Sequence, residues 1–158
     1  MLILSGVQDI FALPEGPQDA VCVTTNGCIR RDGRAVMGRG IALTADRKFN
    51  LAPTLAGYLK LYGNRPFYMG VHTDPDTGRT MSVLTFPTKH DWRNPSDPAL
   101  IEYSARCLVP TVEKFGIRRC FLTCPGCANG GLDWTTQVYP VIAPILDDRF
   151  VIADSRLG

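Results

Sequence analysis

Short segments rich in valine, leucine and isoleucine alternate along this chain with longer segments of helical period, and that alternation is what most constrains the fold. It is the pattern expected when helices cover both faces of a sheet. Candidate strands are Met1 to Ser5, Ala20 to Thr25, Pro66 to His72, Met81 to Phe86, Arg118 to Thr123 and Phe150 to Ala153. The turn-forming cluster Asp74, Pro75, Asp76, Thr77, Gly78 joins the third and fourth of these and predicts an antiparallel hairpin. The expectation is therefore an α/β sandwich on a mixed, six-stranded sheet.

Helices are expected from about Gly40 to Phe49 and from Thr54 to Tyr62, the second ending at Gly63. The clearest helix starts with Asp97 as N-cap and Pro98 in its first turn, buries Ile101, Ala105, Leu108, Val112 and Phe115, and stops at Gly116. Pro110 should kink it. A last helix, Trp134 to Leu146, carries Pro140 and Pro144, which puts its regularity in question.

A chain of 158 residues fits one domain spanning residues 1–158, and 45% hydrophobic with 20% charged residues is ordinary for a folded soluble protein. The formal charge of +2 is too small to argue for general nucleic-acid binding, though a local basic cluster could still face an anion. The start MLILSGVQDIF lacks a basic leader and a signal-length apolar stretch, and no segment approaches a membrane span. A cytoplasmic, membrane-free monomer with six reduced cysteines is expected.

Two glycine-bearing loops each follow a strand and open a helix. Met37 to Ala42 read MGRGIA, where glycine lets backbone approach a ligand and free N–H groups suit a phosphate. By itself that loop could equally be a simple chain reversal. Cys124 to Trp134 read CPGCANGGLDW and offer a second set of backbone donors at the same kind of sheet edge, so the two loops could enclose one diphosphate. Asp133 reads as the N-cap of the helix that follows, whose dipole would add positive charge. Cys124 and Cys127 form a CxxC, which is either a redox pair or two small packing residues; with only His72 and His90 available, no metal site is expected.

Phe86 to Arg93 read FPTKHDWR, in which a strand ends at proline and presents Lys89 and His90 on an exposed connection. Lysine is a useful nucleophile only when burial or a nearby cation lowers its pKa, and Arg93 could be that cation. The plainer reading is a solvated lysine above a packed Trp92. Asn26 could hydrogen-bond a sugar hydroxyl or serve a turn, and Asp9 could receive an adenine amino group or cap the segment Ile10 to Leu13.

In their order, the strand leading to Asp9-Ile10, the strand ending in Asn26, MGRGIAL, FPTKHDWR and GCANGGLDW resemble a macrodomain over nearly the whole chain. They are most similar to the branch that holds the terminal ADP-ribose protein glycohydrolase and the DarG antitoxins. The resemblance implies a three-layer α/β/α fold and binding of ADP-ribose without a cofactor. It implies Asp9 and Ile10 at the adenine, Asn26 at the distal ribose, and Met37, Gly38, Arg39, Gly40 and Ile41 around the diphosphate and distal ribose. Gly126, Cys127, Ala128, Asn129, Gly130, Gly131 and Leu132 join them, with Thr88 beside Lys89. Lys89 is then the catalytic candidate for removing ADP-ribose from a modified protein carboxylate or a nucleic acid.

Three departures from the family pattern bear on chemistry. Gly130 stands where the protein glycohydrolase has an aspartate and where the DarG pattern also has glycine, so a lysine adduct lacks its resolving group and acid catalysis or direct water attack takes its place. Ala128 replaces a usual glycine. The stretch Gly27 to Val36 is longer than in DarG and brings Arg30, Arg31 and Arg34 toward the distal-ribose end, either as a partner contact or as a solvated loop. Competing functions are a binding module that does not turn ADP-ribose over and a thiol redox protein using the CxxC.

Overall fold

The segment Asp19–Asn26, strand β2, is buried over nearly its whole length and pairs in parallel on both sides, which makes it the spine of the sheet. The structure, a computed structural model, describes residues 1–157. β1 (Leu2–Ser5), β2, β3 (Tyr68–Thr73), β4 (Thr80–Lys89), β5 (Arg119–Leu122) and β6 (Phe150–Asp154) form one sheet in the order β1-β6-β5-β2-β4-β3. Only β3 runs antiparallel, paired with β4 through the expected hairpin. The six-stranded mixed sheet is thus as read from the alternation of segments.

Side chains on a strand alternate between faces, and the two cores follow that alternation. Val21, Val23, Met81 and Val83 face helices α1 (Ile41–Phe49) and α2 (Ala52–Tyr62), packing on Ala45, Phe49, Leu55 and Ala56. Ala20, Cys22, Leu84 and Phe86 face α3 (Pro98–Lys114) and α4 (Tyr139–Ile142), packing on Ile101, Ala105, Leu108 and Ile142. The result is three layers.

Three local expectations change. Phe115 is not in the core: it is 43% exposed and stacks on Tyr68 with ring centroids 3.9 Å apart, because α3 ends one residue before it. The segment Trp134 to Leu146 is not one helix but a π turn, Trp134–Val138, followed by the four-residue α4, which Pro140 starts and which ends before Pro144. A lasting helix dipole at that end is therefore absent. β4 does not stop at Phe86; it continues through Pro87 to Lys89. Proline cannot donate to a ladder and is tolerated in a sheet at bulges. Here the register slips at that point: Thr25 faces Pro87 but Asn26 faces Lys89, leaving Thr88 as the extra residue. α3 runs on either side of Pro110 as one helical element.

Two buried carboxylates brace the frame. Asp19, fully buried, receives a forked pair of bonds from Arg119 at 3.0 and 2.6 Å, joining β2 to β5. Asp74, also fully buried, receives Lys48 at 2.9 and 3.0 Å, joining the β3–β4 turn to α1. For each acid, burial raises the carboxyl pKa but the cation's hydrogen bond and charge outweigh it, holding both below the usual range.

Candidate functional site

A cleft of about 430 Å³ opens at the C-terminal ends of β2, β4, β5 and β6, where loops from parallel strands converge. Of the residues expected there, Asp9, Ile10, Asn26, Met37, Gly38, Arg39, Gly40, Ile41, Thr88, Lys89, Gly126, Ala128, Asn129 and Gly130 line it. Cys127, Gly131 and Leu132 do not. The reason is local. Leu132 N–H bonds back to the Gly126 carbonyl at 2.9 Å and Gly131 N–H to Ala128 at 3.4 Å, so the loop closes on itself there. Cys127 and Leu132 instead pack against the α3 core.

The donors left over are on the cleft side. In the second loop, the N–H groups of Gly126, Ala128, Asn129 and Gly130 make no hydrogen bond among the described residues, and in the first the same holds for Gly38, Arg39, Gly40 and Ile41. Gly38 and Gly40 have φ of 61° and 71°, which glycine adopts without the strain a side chain would bring. Gly40 heads α1 without a side-chain cap, so the helix's first amides stay open to an anion. Two facing sets of free amides are a receptor for a diphosphate.

Asp9 is placed for both of its readings. Its Oδ1 caps the 3₁₀ turn Ile10–Ala12 by accepting from Phe11 N–H at 3.0 Å, and it lines the cleft, with Oδ2 not engaged in any hydrogen bond among the described residues. Asn26 is similar. Its Nδ2 donates to the Val36 carbonyl and its Oδ1 accepts from Cys28 N–H, both at 2.9 Å, which fixes the amide at the root of the arginine loop. One further N–H and one lone pair remain for a ligand.

The β2–β4 bulge sets Asn26 and Lys89 opposite one another. Lys89 Nζ donates to the Asn129 carbonyl at 3.1 Å, and the Lys89 carbonyl accepts from Asn64 Nδ2 at 3.0 Å. Lys89 is thus half-buried on a strand end, not on an exposed connection. Arg93 is not its companion cation: the guanidinium is forked onto Asp91 at 2.9 and 2.6 Å, which pulls the Asp91 carboxyl far below the usual range. Nor is Trp92 packed beneath the lysine; it is 52% exposed at the cleft mouth. His90 turns away and bonds Asp97 at 2.9 Å, while Asp97 caps α3 through Ala99 N–H.

The arginine loop folds on itself. Ile29 bridges Ala35, Arg30 pairs with Asp32 at 2.8 Å, and Arg34 reaches Asp46 on α1 and Asn50, the residue that caps its C-terminus. Arg31 is exposed. The CxxC sulfurs are free thiols: the hydrogen bond with Cys127 and then burial raise the Cys124 pKa, and the same bond lowers that of Cys127.

Ser96, Asp154 and Arg156 line the cleft and were not singled out from sequence. Ser96 is 5% exposed, its Oγ has no hydrogen-bond partner among the described residues, and its N–H bonds the Gly130 carbonyl at 3.0 Å. A β-carbon on Gly130 would overlap Ser96 Oγ and the Gly126 carbonyl, so this loop admits no side chain at the place where the protein glycohydrolase has its aspartate. Asp154 is buried, accepts from Cys124 N–H at 2.9 Å and holds Arg156 at 2.7 Å, presenting its guanidinium at the β6 end of the cleft. A serine in a loop and an arginine near the end carry no sequence signal of their own.

No protein-family profile matches the chain. A curated relative, the DNA ADP-ribosyl glycohydrolase of Thermus aquaticus, is 30% identical over 77% of this chain. The chain spans about a third of that relative's length, the aligned part being 32% of it. Among solved structures, the macrodomain of Mycobacterium tuberculosis DarG superposes with a TM-score of 0.70 at 24% identity, covering 97% of both chains. Thermosipho africanus DarTG in complex with ADP-ribose gives 0.66 at 25% identity, covering 85% of this chain and 37% of that one. With its six-stranded mixed sheet, its two glycine loops over one cleft and these likenesses, the chain is a DarG-like macrodomain.

Proposed function

We propose that this chain binds ADP-ribose in the cleft and hydrolyses the bond between ADP-ribose and a base of DNA, with Lys89 as the acting residue. The observation that carries the reading is the register slip at Pro87, which sets Lys89 opposite Asn26 and within reach of the second glycine loop. Asp9 then receives the adenine, the amides of the two loops hold the diphosphate, and Asn26 holds the distal ribose beside Lys89. The DNA substrate is suggested by the name of the Thermus aquaticus relative.

Ser96 and the Gly126 carbonyl exclude a carboxylate at residue 130, so nothing there would resolve a lysine adduct. The chemistry that fits is acid catalysis. As the bond from the anomeric carbon to the base breaks, its electron pair goes to the base and Lys89 Nζ supplies the proton. Water adds to the anomeric carbon and returns a proton to Nζ, so that ADP-ribose and an intact base leave. Parallel incubation with ADP-ribosylated DNA, RNA and protein, scoring free ADP-ribose, tests the substrate. Release from DNA is the expected result, and release from protein alone would overturn the DNA assignment.

A binding module without turnover is the second reading. What favours it is Lys89 Nζ already engaged by the Asn129 carbonyl. Retained ADP-ribose affinity with no release from any substrate would select it.

A further inference from the structure

A second groove of about 770 Å³ is lined by residues of α2, of the start of β3 and of α3. Its walls are aromatic and cationic. Tyr68 and Phe115 stack on each other on the α3 side of the β3 edge, while Tyr62 lies 6.3 Å from Phe67 on the α2 side. Tyr62, Tyr103 and Phe115 are 63%, 45% and 43% exposed, more than a monomer's packing needs of rings this size. Arg65, Arg106 and Lys114 are the charged residues of the wall, and no carboxylate lines it. Arg106 is shared with Glu102 at 3.0 Å, while Lys114 lies over the Phe115 ring at 5.5 Å.

The groove is joined to the catalytic side by one short piece of chain. Asn64 donates to the Lys89 carbonyl at 3.0 Å, and the residues that follow it, Arg65 to Tyr68, form the groove's near wall. Four residue steps from Asn64 to Tyr68 reach at most roughly 14 Å, a few nucleotides of stretched strand. Accessible rings such as Tyr62 and Tyr103 stack on bases whose faces are free, which a duplex hides and a single strand offers, and Arg65 and Lys114, unpaired with a carboxylate among the described residues, follow its phosphates.

We infer that this groove holds the single-stranded DNA that flanks the modified nucleotide, so that Lys89 meets its substrate on a strand already seated there. The inference rests on the DNA reading of the cleft and extends it. Binding of a labelled, unmodified oligothymidylate, followed by fluorescence anisotropy, tests it without any turnover. The single strand is expected to bind several-fold tighter than the same sequence in a duplex, with a logarithmic salt slope of about −1.4 if the two unpaired cations act. Tyr103→Ala and Arg65→Glu should each weaken it by about tenfold, while ADP-ribose affinity stays at the wild-type value.

Equal binding of strand by these variants, equal binding of duplex, or no strand binding at all would overturn the inference. So would light scattering that shows a wild-type dimer broken by the same variants, since the groove would then be a self-association surface. The two readings fail separately. Strand binding without release of ADP-ribose sinks only the hydrolase, and release from an ADP-ribosylated mononucleotide without strand binding sinks only the groove.

Discussion

Lys89 Nζ donates to the carbonyl oxygen of Asn129 at 3.1 Å, tying the end of β4 to the second glycine loop across the cleft. A donor held there stands beside the distal ribose in the proposed complex and touches none of the amides that would hold the diphosphate. Lys89→Ala should therefore lower release of ADP-ribose from DNA by about 10²-fold or more, while ADP-ribose affinity by calorimetry stays within about threefold of wild type. Lys89→Arg keeps the charge but cannot pass a proton at neutral pH, and it should be nearly as slow. Undiminished turnover in either variant would remove Lys89 from the chemistry.

The proposed acid catalysis predicts that no lysine adduct forms. With no side chain at residue 130, the proposed reaction is completed by water and not by a carboxylate-assisted second step. Mass spectrometry of acid-quenched single-turnover mixtures should show unmodified Lys89 throughout. An ADP-ribosyl mass on the peptide that contains Lys89 would show covalent catalysis.

Gly130 also makes a steric prediction. Installing the carboxylate by Gly130→Asp should not improve catalysis, because its β-carbon overlaps Ser96 Oγ and the Gly126 carbonyl. The loop must move, at a cost of roughly 1–3 kcal/mol. ADP-ribose affinity should fall by about tenfold, and Gly130→Ala, which adds only the β-carbon, should show most of the same loss. Removing the hydroxyl with Ser96→Ala leaves the Gly126 overlap and should not rescue the aspartate variant. A faster Gly130→Asp enzyme would refute this account of the loop.

Much of this arrangement could be read from the chain, and the failures have a common cause. The strands were legible because Val21, Val23, Val83 and Leu122 sit in short apolar runs, and the start of α3 because Asp97 and Pro98 are a cap and a first-turn residue. The glycine loops were legible because positive φ needs glycine at Gly38 and Gly40. The extension of β4 was not, since proline inside a central strand argues against one, and only the bulge opposite Asn26 relieves it. Arg93 reads as a companion cation for Lys89 only while its nearer neighbour Asp91, which takes its guanidinium, is left out of account. Ser96 and the groove residues Tyr62, Tyr103 and Phe115 come together only in three dimensions.

The buried acid Asp19 makes the last prediction, on stability against pH. Burial pushes its carboxyl up, but the forked bonds from Arg119 and the Glu15 N–H bond outweigh that and leave it below its ordinary value. A carboxyl whose folded pKa is depressed binds its proton less readily folded than unfolded, so protons favour the unfolded chain. Its stabilisation is fully present above the unfolded value near about 3.9 and is lost as pH falls through the lower folded value. Asp74, held by Lys48, adds to the same limb with the same sign. Urea midpoints measured from neutral pH downward should stay flat to about pH 5 and then fall steeply. Asp19→Asn removes the titration and leaves Arg119 with only the exposed Glu15 at 3.3 Å as its ion-pair partner. It should be less stable than wild type at pH 7, by roughly 1–3 kcal/mol, with a shallower slope below pH 4. A variant whose acid limb is as steep as the wild type's would show that Asp19 contributes nothing to it.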